Sequence, residues 1–148
     1  KRLITFEGRA ALLLADEKQS GTGKPVVLTQ VDIRQLQLAA GAIRAGVTIL
    51  LRKAGLDLDD IEEVHLAGGF GNFIHRSNAQ RIGLLPHAYP VEQIRYLGNT
   101  ALSGALLVLL KPELRDEMEF IASQTDHVDL AGDPEFQITF ADAMIFPG

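Results

Sequence analysis

The sequence predicts an α/β fold, a mixed sheet with helices on both faces. Three patterns carry that expectation. Short apolar runs at 3–7 and 10–16 flank Gly8-Arg9 as the arms of an antiparallel hairpin would. A long stretch from Thr29 to Ala54 has helical periodicity. Beyond it, strand-like and helix-like segments alternate, the order expected of parallel strands joined by crossovers.

Each element has its own signal. Residues 16–24 are polar and glycine-rich, a loop tip, and 25–28 form a short third strand. Thr29 is placed as a helix N-cap, with Asp32 three residues on completing a capping box. Ile33, Leu36, Ala40, Ile43, Val47, Leu50 and Ala54 then fall on one helical face, and Gly55 stands where a C-cap glycine belongs. The middle of this helix is small: Ala39, Ala40, Gly41, Ala42, Ala45 and Gly46. Close packing against a neighbour is the plainer reading of that stripe. The alternative is a backbone left bare for a ligand or a moving segment.

The acidic residues at 57–63 read as a solvated loop and helix turn. A strand is expected at 63–67, ended by Gly68-Gly69. Ser77 would cap a short helix at 77–82, closed by Gly83-Leu84-Leu85-Pro86. Another strand follows at 93–97, then a helix capped by Asn99 or Thr100 and running to about Leu110. Pro112 suits the first turn of a helix at 113–124. Alternation at 127–130 suggests a last edge strand, and Asp133-Pro134 opens a final helix to about Met144.

Composition narrows the function. The chain has 148 residues, a length that sets a prior of one domain. It has no cysteine, which excludes a disulfide scaffold, a thiolate metal site or an iron–sulfur cluster ligated by this chain. Fourteen basic against 19 acidic residues leave a net charge of −5, the wrong sign for a nucleic-acid footprint. The apolar run from Ala105 to Leu110 is too short to span a bilayer, so no membrane partner is expected and a cytoplasmic location is the default. Residue 1 is Lys rather than Met, and a fragment of a longer protein is expected.

Two motifs invite a nucleotide. Ser20-Gly21-Thr22-Gly23-Lys24 imitates a phosphate loop and fails: Lys18 stands where the first glycine is required, and Pro25 where Ser or Thr is. Leu66-Ala67-Gly68-Gly69-Phe70-Gly71-Asn72 is more informative. Glycines at a strand's carboxyl end let a ligand approach the backbone. Gly98-Asn99-Thr100-Ala101 starts a second small-residue helix, read as tight helix–sheet packing or as a hinge beside a moving domain. The histidines are scattered. His65 reads as structural, His75-Arg76 could touch a phosphate, and His127 with Asp129 lacks a third metal ligand.

In context these segments resemble a family. Asp60-Ile61-Glu62-Glu63-Val64-His65-Leu66-Ala67-Gly68-Gly69-Phe70 looks like the adenosine motif of the actin-like ATPase superfamily, with sugar kinases and heat-shock chaperone ATPases. The segment from Gly98 to Ala105 is similar to the second connecting helix of those proteins. More closely, Leu28-Thr29-Gln30-Val31-Asp32-Ile33-Arg34, Ala42-Ile43-Arg44-Ala45-Gly46, Gly68-Gly69-Phe70-Gly71-Asn72, Ile82-Gly83-Leu84-Leu85-Pro86 and Gly98-Asn99-Thr100-Ala101 together resemble the ATP-dependent reductive activators of corrinoid proteins. The order and spacing of these segments carry the resemblance, from about residue 28 to 147.

The resemblance implies a ribonuclease-H-like lobe, the second half of an actin-like ATPase domain spanning residues 1–148. It implies that ATP turnover drives reduction of a cobalt(II) corrinoid protein to cobalt(I), with electrons from a 2Fe-2S cluster. The lobe and iron–sulfur domain upstream, with the magnesium ligands, would lie outside this chain, which alone should not hydrolyse ATP. ATP or ADP would meet the backbone of Gly68, Gly69, Phe70, Gly71 and Asn72, with Gln30 and Arg34 bordering the base or ribose. No residue is assigned a catalytic or metal-binding role. The expected partners are a corrinoid protein and the upstream lobe, and a homodimer is left open. Two other readings compete: a lobe of a sugar or acyl kinase, and a non-catalytic interaction domain of the same fold.

Overall fold

A computed structural model describes residues 2–69 and 73–147. Strands β1 (Leu3–Phe6) and β2 (Arg9–Ala15) form the hairpin, paired Leu3 with Leu12 through Phe6 with Arg9. Its turn is Glu7-Gly8, both at positive φ (48° and 78°), the two-residue geometry whose twist matches the strands. Strand β3 (Val26–Thr29) pairs antiparallel with β2, with an irregularity between Leu13 and Ala15.

Thr29 then turns the chain into α1 (Gln30–Ala54) through the predicted capping box. The Asp32 carboxylate accepts from the Thr29 N–H at 2.8 Å, and the Thr29 hydroxyl oxygen accepts from the Asp32 N–H at 3.3 Å. Hydrogen bonds from the Thr29 hydroxyl and N–H hold the Asp32 carboxyl below the usual carboxylate range. Gly55 ends the helix in the left-handed conformation, as predicted.

After a 3-10 turn at Leu58–Asp60 come β4 (Val64–Ala67), α2 (Arg76–Arg81), a second 3-10 turn at Val91–Gln93 and β5 (Ile94–Gly98). β5 lies parallel to β4, and the register slips at Ala67, which faces Gly98 and leaves Leu97 bulged. Helices α3 (Thr100–Leu110), α4 (Leu114–Ser123) and α5 (Phe136–Ala143) complete the chain.

The α/β class and both kinds of strand pairing agree with the sequence reading. The single mixed sheet does not. Among the described residues the ladders form two sheets, β1-β2-β3 and β4-β5. Two local expectations also fail. Residues 127–130 hold no strand, because the Asp129 carboxylate folds back to accept from the N–H groups of Ala131 (3.1 Å) and Gly132 (3.3 Å). Helix α2 is capped at His75 rather than Ser77, whose hydroxyl lies 3.0 Å from His75 Nδ1.

One core cluster gathers Ala79, Leu85, Tyr89 and Ile94, with Val64, Leu66 and Ile74 packed against it. Ile94 is fully buried. Polar groups in this core are paired: Gln80 Nε2 donates to the carbonyls of Pro86 (2.9 Å) and Tyr89 (2.6 Å), and Tyr89 Oη donates to Ile61 O at 2.7 Å.

The small stripe of α1 is a packing surface. Ala40, Gly41, Ala45, Gly46 and Ile49 are its buried residues, and α1 lies against α5. A Cβ on Gly41 would stand 3.2 Å from the backbone of Met144, and one on Gly46 3.1 Å from Leu130 Cδ1. Charges flank the contact: Lys53 Nζ sits 2.9 Å from Asp133 Oδ2, Arg52 pairs with Glu135, and Arg44 Nη1 donates to Ile145 O at 2.8 Å. Gly41→Leu should therefore lower stability by about 1–3 kcal/mol, read from denaturant unfolding, since backbone cannot retreat as a side chain can. Unchanged stability would refute this account of the stripe.

The Lys53 side chain first, and the Glu135 N–H second, hold the Asp133 carboxyl below the usual range. The folded-state value lies under the unfolded one. The stabilisation is thus complete above the unfolded value and disappears as pH falls through the folded one. Asp133→Asn should melt lower than the parent near neutrality, and the gap should close in acid below about pH 4. A gap independent of pH would exclude the carboxylate as its source.

Candidate functional site

The parallel pair aims both of its carboxyl ends the same way. β4 ends at Gly68 and β5 at Gly98, and the Gly68 N–H donates to Gly98 O at 2.7 Å. Ligands of α/β proteins collect at such ends. Gly68 has φ +97°, a conformation L side chains rarely adopt. Gly69 is different: its φ is not positive, and a Cβ there would meet no described atom within 4 Å. The fold explains the first glycine and does not require the second. Phe70, Gly71 and Asn72, the rest of the predicted loop, lie outside the described residues.

Gln30 and Arg34 fall one helical turn apart on the exposed first turns of α1. They line a groove of about 750 Å³ with Phe6, Glu7, Arg9 and Val31. The groove lies between the tip of the first hairpin and the start of α1. Gly68 and Gly69 do not line it. The structure thus joins Gln30 to Arg34 in one recess and places the glycines at a separate strand end. Arg9, which the sequence reading left in the turn, and Glu7, which it placed at the end of the first strand, belong to the recess. The hairpin was legible, but its turn falls at Glu7-Gly8 rather than Gly8-Arg9, and its proximity to α1 was not legible.

His75 is exposed, while Arg76 is half-buried and turned onto β5. Its Nη1 donates to Ile94 O at 2.7 Å and Val91 O at 3.3 Å, and its guanidinium stacks over the Tyr96 ring at 5.3 Å. The phosphate contact considered for Arg76 is replaced by this structural one. Tyr96 Oη donates to Ile74 O. On the outer face of the pair, Glu63 bridges His65 Nε2 (2.8 Å) and Arg95 Nη2 (2.5 Å). Among the described residues no three of His, Asp and Glu gather as a metal site.

A family model described as the C-terminal domain of RACo, the ASKHA domain, matches residues 1–148. The chain belongs to this family. As an ASKHA domain it is similar to the corrinoid activation enzyme RamQ of Eubacterium limosum. That match is 43% identical over 118 residues, covering 80% of this chain and 20% of the relative. It is also similar to the [Co(II) methylated amine-specific corrinoid protein] reductase of Methanosarcina barkeri. There the identity is 32% over 116 residues, covering 77% of this chain and 21% of the relative. A solved reductive activator for corrinoid, iron–sulfur protein superposes with TM-score 0.88 and 34% identity, over 99% of this chain and 23% of that one. The chain thus spans about a fifth of the length of these relatives. No helix among the described residues is long and apolar enough to cross a membrane.

The two glycines of this ASKHA domain should separate in a stability assay. Gly68→Ala should destabilise the domain by about 1–2 kcal/mol, the cost of a left-handed residue bearing a Cβ. Gly69→Ala should leave its melting temperature unmoved. Equal effects would contradict the difference in their backbone geometry.

Proposed function

We propose that this ASKHA domain is the nucleotide-binding half of an ATP-dependent reductive activator. The complete protein would reduce cobalt(II) corrinoid proteins to cobalt(I), with ATP binding and turnover coupled to electron transfer from a 2Fe-2S cluster. The observation that carries the nucleotide assignment is the paired strand end, where Gly68 and Gly98 adjoin and Gly69 presents bare backbone. The names of the relatives support the corrinoid protein as partner.

The residues present fit one part of ATP or ADP. Backbone at Gly68 and Gly69 would take the adenosine and α-phosphate, where a larger side chain at 69 would collide with the ligand. Gln30 and Arg34 would border the base or ribose, which requires the groove on α1 and the strand end to act on one nucleotide. The iron–sulfur cluster does not fit this chain, which lacks cysteine, and its ligands belong elsewhere in the complete protein. Magnesium likewise has no cluster of carboxylates among the described residues, and its ligands are assigned to the upstream lobe.

That upstream lobe is the expected cover for α3. The helix carries no charged residue, and Leu102, Leu106, Leu107, Leu109 and Leu110 are each at least half exposed. A helix apolar on every side is normally buried, and the relatives have several hundred per cent more chain with which to bury it. A cytoplasmic location accompanies this reading.

The test uses the complete protein. Gly69→Val should weaken ATP and ADP binding at least about tenfold in calorimetry, a loss of roughly 1.4 kcal/mol, while the domain stays folded. Nucleotide affinity equal to that of the parent would overturn the site assignment.

A further inference from the structure

The recess at the start of α1 is lined from two directions. Gln30, Arg34 and Gln37 recur at helical spacing and line it from α1. Phe6, Glu7 and Arg9 line it from the tip of the β1–β2 hairpin. Its volume of about 750 Å³ lies within the range of small-molecule sites.

The helix end itself is already spent, because Thr29 and Asp32 cap each other's N–H groups. The charged side chains around it are not. Among the described residues the ion pairs use Arg52, Lys53, His65 and Arg95 as cations, and none involves Glu7, Arg9 or Arg34. Two guanidiniums and a carboxylate thus line one recess without pairing. Glu7 also has an uncommon backbone. Among the described residues it is the one non-glycine at positive φ (48°). It opens a two-residue turn in which Asn, Asp or Gly is preferred, so the turn does not account for a glutamate. What Glu7 adds is a carboxylate in the recess that holds Gln30 and Arg34.

We infer that Glu7 and Arg9 are nucleotide-binding residues of this recess: the Glu7 carboxylate accepts from the ribose hydroxyls, and the Arg9 guanidinium takes phosphate oxygens. An acidic side chain is the usual acceptor for a ribose hydroxyl, and a guanidinium presents paired donors to phosphate. The carboxamides of Gln30 and Gln37 match the donors and acceptors of an adenine edge. Phe6 supplies apolar surface beside them. The inference rests on the reading above in which Gln30 and Arg34 border the nucleotide. It needs no residue outside the recess.

The experiment uses the complete protein and measures ADP, 2′-deoxy-ADP and adenosine binding by calorimetry, with thermal melting alongside. Glu7→Gly removes the carboxylate and relieves the left-handed backbone. Glu7→Gln keeps the side chain's length and removes its charge. The parent should prefer ADP over 2′-deoxy-ADP by about tenfold, the worth of one hydrogen bond to a charged group. Both Glu7 variants should lose that preference by weakening ADP alone, and Glu7→Gly should melt no lower than the parent. Arg9→Gln should weaken ADP about three- to tenfold and leave adenosine unchanged. A parent-like preference in the Glu7 variants overturns the ribose contact, as does an equal loss for ADP and 2′-deoxy-ADP. A parent that binds both equally overturns it too. Equal losses for ADP and adenosine in Arg9→Gln overturn the phosphate contact. Each of these leaves the nucleotide reading standing, because Gly69→Val reports on that separately. A parent that binds neither ADP nor ATP removes both this inference and the reading beneath it.

Discussion

Strand β5 is the constraint on which the rest of the second half depends. Its first residue, Ile94, is the fully buried centre of the core cluster. The carbonyl of that same residue receives Arg76, and the strand's last carbonyl receives the Gly68 N–H. Side-chain burial and backbone hydrogen bonding therefore act on one five-residue segment. A parallel pair of this length has few ladder bonds of its own, and its pairing is slightly weaker per residue than an antiparallel one. The bonds from Arg76 and Tyr96 come from outside the ladder. They hold the pair from the direction of the chain that must pass from one strand to α2.

The first half is organised by a different contact. Gly41 admits Met144, at the end of α5, and Gly46 admits Leu130, in the segment before α5, where a Cβ would stand 3.2 and 3.1 Å away, closer than ordinary van der Waals contact. Each glycine weakens the helix intrinsically by roughly 1 kcal/mol against alanine. The capping box, the Gly55 cap and a 25-residue length offset that loss locally. Charged pairs at Lys53–Asp133 and Arg52–Glu135 then lie along one end of the contact. The exposed Arg52–Glu135 pair adds little by itself, whereas the Asp133 carboxylate is largely shielded from solvent, and together they fix the residues entering α5 relative to the last turn of α1.

How much of this was legible follows from how local each cause is. The Thr29–Asp32 box and Gly55 depend on residues within four positions, and both were read correctly. The β-hairpin and the alternating strands were visible for the same reason. The edge strand at 127–130 was misread because alternation carries no record of the Asp129 carboxylate returning to its own backbone, or of Leu130 being taken up by Gly46. Ser77 is a good cap by composition, yet His75 leads the helix and Ser77 turns its hydroxyl to that ring. The clamp on Tyr96 joins positions 74, 76, 91, 94 and 96. Its partners lie up to 22 residues apart, and no short motif announces it. Of the expected site, the glycine-bearing strand end and the Gln30–Arg34 stretch were both visible as separate signals, and only the structure shows that the two described glycines do not line the groove holding Gln30 and Arg34.

Glycines are informative in proportion to what else explains them. Gly83 is doubly constrained, by φ +72° and by Arg44 Nη1 and Pro147, which a Cβ would approach to 2.8 and 2.9 Å. Gly41 is explained by Met144, and Gly68 by its backbone conformation. Such residues would be glycine in a domain of any function. Among the described residues Gly69 meets neither constraint, yet it directly follows a strand end bonded to its partner strand through the Gly68 N–H and Gly98 O. The case for a ligand there therefore rests on Gly69, which nothing in the described fold requires, rather than on Gly68, whose backbone conformation already accounts for it.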